Sequence, residues 1–258
     1  MSLSSSLPIG VFDSGIGGIS VLSRLKKRLP MESFIYFGDM ARVPYGTKSK
    51  EAVVRYTIES AQFLLQKKIK LLVIACNTAT ALALHEVHEA IGIPVIGVIE
   101  HSAKKACEVS KKGHIALIAT EGTVSSGSYE RVIKNISPTI QVSPKSCGLF
   151  VSLAEEGFLD HPVSEQVAHE YLDPFFKKKD VPDCLILGCT HYPFLLPVIA
   201  RVINGRMNIV DPAEETAAEV KIIRRVAQAP ADDSSFAEAV EKIVSDADAI
   251  HADVSIWA

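Results

Sequence analysis

The feature that most restricts the fold of this chain is a regular alternation. Short runs of aliphatic and β-branched residues recur along it: Ile9–Phe12, Phe34–Phe37, Leu71–Ala75, Pro94–Ile99, Ile115–Ala119, Thr139–Val142, Cys184–Leu187 and Asn208–Val210. Between them lie longer stretches whose apolar residues repeat at helical spacing. The clearest is Lys50 to Lys67, where Val53, Val54, Ile58, Ala61, Phe63, Leu64 and Leu65 mark one broad face; Ser164–Lys178, Tyr192–Ile203 and Ala213–Ala227 read the same way. The strands are too apolar to have one face in water. They predict an α/β fold with mainly parallel sheets covered by helices.

Three strand ends have counterparts about 110 residues further on, a period far longer than a solenoid unit. Ile9-Gly-Val-Phe-Asp-Ser-Gly pairs with Ile115-Ala-Leu-Ile-Ala-Thr-Glu-Gly, Leu72-Val-Ile-Ala-Cys-Asn-Thr with Leu185-Ile-Leu-Gly-Cys-Thr-His, and Val98-Ile-Glu with Ile209-Val-Asp. One match between apolar strands is unremarkable, but three in order point to a duplicated unit. The expected architecture is two pseudo-symmetric lobes, each a mainly parallel sheet flanked by helices, with equivalent strand ends facing a shared crevice. Residues 1–99 with 208–258 are assigned to the first lobe and 100–207 to the second, the last strand and helix returning to the first. A turn at Asp232-Asp-Ser-Ser and a terminal helix over Phe236–Val244 complete the expectation.

Charge and cysteine usage exclude several functions. The chain carries 27 basic and 30 acidic side chains, a formal charge of −3. It lacks the basic excess that would make nucleic acid or an anionic membrane its main ligand. Apolar runs reach about eight residues, short of the roughly 20 that span a bilayer. Met1 to Leu7 is Ser-rich without a basic or long apolar region, so it reads as a flexible start and not a signal peptide; the expected location is cytoplasmic. The five cysteines at 76, 107, 147, 184 and 189 form no Cys-x-x-Cys pair. A disulfide framework and a structural zinc site are therefore not expected, and the sulfurs are read as thiols.

Two of those thiols stand out by position. Cys76 ends an apolar run and precedes Asn77-Thr-Ala-Thr-Ala-Leu-Ala-Leu, so it sits where a strand ends and a helix begins. Cys189 repeats this arrangement before Thr190-His191-Tyr192-Pro193. Unpaired N–H groups and the helix dipole at such a place favour the thiolate. A single cysteine there is usually a small buried residue; two at equivalent strand ends indicate function. Cys107, Cys147 and Cys184 are read as structural, and His85 with His88 as a solvated helix face, leaving no expected metal site. Asp13-Ser14-Gly15-Ile16-Gly17-Gly18 follows the first strand. It fails as a dinucleotide fingerprint because Ser20 stands at the third small position and the acidic residue precedes the glycines. Asp13 either caps the next helix or faces the crevice to meet an ammonium group. Arg42-Val-Pro-Tyr-Gly46 is a rigid loop after the second strand, placed to form one wall.

Taken together, Asp13-Ser-Gly-Ile-Gly-Gly, Pro44-Tyr-Gly, Cys76-Asn-Thr-Ala and Gly188-Cys-Thr-His-Tyr-Pro resemble the glutamate racemases of the cofactor-independent aspartate/glutamate racemase superfamily, from about Ile9 to about Ala218. The resemblance implies interconversion of L- and D-glutamate, one thiolate removing the α-proton while the other thiol protonates the opposite face. Inversion without a cofactor does need an acid and a base on opposite sides. By this resemblance Cys76 acts on D-glutamate and Cys189 on L-glutamate. Asp13 and His191 assist them, and Glu155 is a further helper for which Glu156 is the alternative. Ser14, Tyr45, Gly46, Asn77, Thr78 and Thr190 hold the substrate carboxylates. No cofactor is expected, no lysine motif suggests a pyridoxal Schiff base, and the product would feed peptidoglycan synthesis; pairing into a homodimer is left open. The rival readings are an aspartate racemase with the same two-thiol chemistry, a non-catalytic ligand-binding regulator, and a thiol-disulfide oxidoreductase. Paired thiols are hard to motivate in a regulator, and the missing Cys-x-x-Cys argues against the oxidoreductase.

Overall fold

The computed structural model describes residues 6–177 and 179–228, so the expected turn and helix after Ala231 lie outside the described residues. The first half runs β1 (Ile9–Asp13), α1 (Ile19–Arg28), β2 (Phe34–Gly38), α2 (Lys50–Gln66), β3 (Leu71–Ile74), α3 (Asn77–Ala90) and β4 (Val95–Gly97). The second runs α4 (Ile99–Val109), β5 (His114–Ala119), α5 (Glu121–Ser126), α6 (Ser128–Ile136), β6 (Gln141–Ser146), α7 (Leu149–Glu155), α8 (Pro162–Phe176), β7 (Cys184–Gly188), α9 (Leu196–Ile203), β8 (Asn208–Val210) and α10 (Pro212–Gln228). Each expected strand is present.

The strands form two four-stranded parallel sheets ordered β2-β1-β3-β4 and β6-β5-β7-β8. The identical order makes β1 equivalent to β5, β3 to β7 and β4 to β8, the three pairs matched in the sequence. Strand pleating sends alternate residues to opposite faces, and each face is sealed by helices. In the first sheet Val11 and Val73 pack towards Val21 and Leu25 of α1 and Ala213, Ala217 and Val220 of α10. Phe12, Leu72 and Ile74 pack towards α2 and α3 on the other side. In the second sheet Ile115, Leu117 and Ile186 meet α4 and α6, while Ile118, Leu185 and Leu187 meet α7, α8 and α9.

One boundary needs correction. Asn208–Val210 was assigned to the first lobe, but β8 pairs with β7 through Cys184, Leu185 and Ile186 and is an edge strand of the second sheet. The chain returns only after Val210, when α10 docks on the first sheet. The three apolar residues of such a strand fit either sheet, so their pattern could not choose. A second difference concerns Tyr192–Ile203, which is a 3₁₀ turn over Tyr192–Leu195 followed by α9. Pro197 lacks the N–H that a continuous α-helix would bond to the Pro193 carbonyl.

In both sheets the strand order reverses direction at the centre, between β1 and β3 and between β5 and β7. Open parallel sheets hold their ligands outside the carboxyl ends at this reversal. Asp13 and Cys76 mark the spot in one lobe, Thr120 and Cys189 in the other. No helix among the described residues is long and apolar enough to cross a membrane.

Candidate active site

Cys76 is the N-cap of α3. Its Sγ accepts the Ala79 N–H at 3.4 Å, a role usually filled by a hydroxyl or carboxylate oxygen, and its thiol donates to Ser14 Oγ at 3.5 Å. Ser14 belongs to the loop after β1, so the thiol is held between neighbouring strand ends of one sheet. Cys189 has different company. His191 Nδ1 lies 3.8 Å from its Sγ, and His191 Nε2 is 2.5 Å from Glu155 Oε1 at the end of α7. Glu155 is therefore the glutamate that meets the histidine, while Glu156 is exposed.

The lobes interlock around these thiols. Asp13 in the first lobe accepts from Thr190 Oγ1 in the second at 3.2 Å and from its own loop's Gly15 N–H at 3.0 Å. The N-cap of α1 is Gly18, which has no side chain of its own, and the Asp13 carboxyl also takes the Gly18 N–H, so Asp13 serves the start of α1 as well as meeting Thr190. Two glycines allow the approach. A Cβ on Gly17 would lie 2.3 Å from Thr190 Oγ1 and 2.6 Å from His191 Nδ1, and a Cβ on Gly46 would lie 2.6 Å from Thr120 Cβ.

A single crevice is lined by both thiols and by Ser14, Tyr45, Gly46, Asn77, Thr78, Thr190 and His191, which brings together all the expected residues except two. Asp13 and Glu155 stand one hydrogen bond behind, through Thr190 and His191. Pro44, Thr120 and Val151 also line the crevice and were not singled out in the sequence. Thr120 was legible, because the repeat aligns it with Ser14, and its Oγ1 lies 2.9 Å from Thr78 Oγ1. The Tyr45 phenol donates to Asp39 Oδ2 at 2.6 Å, so the hydroxyl expected to meet a carboxylate is engaged elsewhere. The crevice encloses about 20 Å³, room for about one water molecule.

Electrostatics correct another expectation. The helix-start N–H groups do favour the thiolate, yet burial outweighs them. It pushes Cys76 up to about 11, with the charge of Asp13 adding to the rise and Ser14 and the Ala79 and Thr78 N–H groups opposing it. Cys189 is driven higher still, by burial first, against a hydrogen bond from the His191 N–H. Burial also raises the Asp13 carboxyl, opposed by His191 and by the N–H groups of Gly15 and Gly18. Placing charge in so enclosed a space is costly unless a partner of opposite sign comes with it. Among the described residues no group of three His, Cys, Asp or Glu side chains could hold a metal ion.

The profile of a family described as Asp/Glu/Hydantoin racemase matches residues 9–220. The chain belongs to the Asp/Glu/hydantoin racemase family. It is 50% identical over 217 residues to a glutamate racemase of Geobacter metallireducens, covering 84% of this chain and 80% of that one. Glutamate racemase isoform RacE1 of Bacillus anthracis superposes with a TM-score of 0.83 at 38% identity, over 93% of this chain and 95% of the other. A glutamate racemase of Francisella tularensis, solved with D-glutamate, gives 0.80 at 36% identity over 93% and 94% of the two chains. Membership in the Asp/Glu/hydantoin racemase family and the two-lobed α/β fold thus agree with the strand-end cysteines from which the sequence argument began.

Proposed function

We propose that this racemase acts on glutamate, inverting its α-carbon by proton transfer between Cys76 and Cys189 without a cofactor. The observation that carries the reading is that two thiols at equivalent strand ends, one from each lobe, line one crevice. In the L-to-D direction Cys189 as thiolate takes the α-proton and becomes a thiol. Cys76 gives its proton to the opposite face of the carbanion and becomes the thiolate. The substrate is inverted, the two sulfurs exchange protonation states, and no other group is consumed.

The rise in both thiol pKa values fits this scheme. An empty, low-dielectric crevice disfavours a lone thiolate, whereas the α-ammonium of a bound amino acid supplies the missing opposite charge. Activation is thereby tied to binding. His191, held by Glu155, exchanges the proton of Cys189, and Asp13 does the same on the Cys76 side. The α-proton beside a carboxylate is far less acidic than a thiol. The gap must be closed by fixed donors around the developing carbanion and by exclusion of water, for which a crevice this tight is suited.

The product D-glutamate would serve peptidoglycan synthesis in the cytoplasm. Pairing into a homodimer belongs to the same proposal and is tested by the mass in solution. The deciding experiment incubates the purified protein with L-glutamate in D₂O without added cofactor, following optical rotation and the α-proton signal. Loss of rotation with deuterium at Cα is expected. Normal racemisation by both Cys76→Ala and Cys189→Ala variants would overturn the two-thiol assignment.

A further inference from the structure

Asn77 follows Cys76 directly and is almost wholly buried at the floor of the crevice. Its Nδ2 donates to the Tyr129 hydroxyl at 2.9 Å, while its Oδ1 is buried and accepts no hydrogen bond among the described residues. A buried amide oxygen without a donor costs about 1–3 kcal/mol, so its orientation needs a cause. The cause lies in the second lobe. The Ser102 hydroxyl donates back along α4 to Val98 O at 2.8 Å and Ile99 O at 2.9 Å, which leaves Ser102 Oγ as an acceptor. The Tyr129 hydroxyl, 3.2 Å from Ser102 Oγ, therefore sends its proton to Ser102 and offers Asn77 only an oxygen. Burial keeps the Tyr129 phenol protonated far into the alkaline range, so this polarity does not depend on pH. With the Ser102 proton placed on the helix carbonyls, the chain of bonds runs from the Asn77 amide to Tyr129, to Ser102, to the helix backbone.

We infer that Tyr129 and Ser102 are positioning residues that turn the Asn77 amide so that its oxygen, and not its NH₂, faces the ligand. The crevice thus presents an acceptor beside Cys76, and the group it takes must be a donor. On the glutamate reading above, the only strong donor on the substrate is the α-ammonium; the inference rests on that reading. It reassigns Asn77 from the substrate carboxylates to the nitrogen.

The test compares glutamate with glutarate, which keeps both carboxylates and lacks the ammonium. Wild-type racemisation of glutamate is measured first; its absence would remove the substrate reading, not the relay. In Tyr129→Phe the amide loses its anchor and is free to turn. The KM for glutamate should rise about tenfold, equivalent to about 1.4 kcal/mol, with a much smaller change in kcat and an unchanged glutarate inhibition constant. Ser102→Ala is the milder variant and serves if Tyr129→Phe does not fold. With its acceptor gone, the tyrosine proton can turn to the Asn77 oxygen, so glutamate should again weaken while glutarate binds as well as before or better. A parallel rise in both constants would mean general disruption of the site. That result, or no change in either constant, overturns the inference.

Discussion

The loops after β3 and β7 occupy the same place in their sheets and hold the same residue, yet they treat it differently. Cys76 is folded into the first turn of a regular 14-residue helix and is contacted by a hydroxyl and a backbone N–H. Cys189 precedes a proline-broken 3₁₀ turn and lies beside an imidazole held by a carboxylate. Duplication supplied the position, and divergence supplied the partners. Asp13 has no acidic counterpart in the second lobe, where Ala119 takes the equivalent strand position, and His191 has none in the first, where Thr78 stands two residues after the cysteine. A matched pair of thiols thus has unmatched neighbours.

The strongest way to break this comparison is to remove one thiol at a time. Cys76→Ala and Cys189→Ala should each lower racemisation by at least about 10³-fold, near the upper part of the range for a positioned acid or base. A polarimetric assay decides it, and equal, modest losses would deny the thiols their roles. The helpers should differ in a subtler way. L- and D-glutamate have equal free energy in water, so any variant must lower kcat/KM equally in both directions. Individual steps need not respond alike. His191→Ala is expected to reduce kcat by about 10²-fold, with the larger α-deuterium isotope effect in the L-to-D direction; Asp13→Asn should show the larger effect from D to L.

Gly17→Ala probes the contact between lobes. Its Cβ would fall on Thr190 and His191, so the lobes must shift at an expense of about 1–3 kcal/mol, lowering Tm by roughly 3–9 °C and activity with it. Calorimetry with a parallel rate assay checks both. Stability in alkali probes the enclosure of the thiols themselves. Burial raises Cys76 to about 11 and both Cys147 and Cys184 to about 12, from an ordinary value of 9. A group raised in the folded state contributes fully below its unfolded value and loses that contribution as pH climbs to the folded one. Stability should therefore fall between about pH 9 and pH 12, by at most about 1.4 kcal/mol per thiol per pH unit. Cys147 and Cys184 lie in the second lobe with Cys189, so a Cys147→Ala, Cys184→Ala variant should flatten the fall in denaturant midpoints more than Cys76→Ala does.

The strands could be read from the sequence because burial on both faces leaves uninterrupted apolar runs, and the crevice could be read because duplicated strand ends carried the same residue. What escaped depended on contacts far apart in the chain. The side on which β8 pairs is set by Cys184–Ile186, and nothing within Asn208–Val210 specifies it. The resemblance already favours Glu155 over Glu156, but its contact with His191 is visible only in the folded chain. The thiols' protonation was misjudged because helix-start N–H groups are visible in a sequence and enclosure is not. Tyr129 left no trace at all, being a buried aromatic on an amphipathic helix until its hydroxyl is placed beside Asn77.

The identical strand order of the two sheets also limits what any such molecule can do with a pair of enantiomers. L- and D-glutamate are mirror images, but a chain of L-residues contains no mirror. Two like lobes can be related to one another by rotation alone. Had both halves stayed the same, they would have met the two faces of the α-carbon with rotated copies of one environment, which neither enantiomer's mirrored groups could match equally. On the two-thiol proposal, the unlike surroundings of Cys76 and Cys189 are how a handed scaffold can meet a substrate and its reflection in the same crevice.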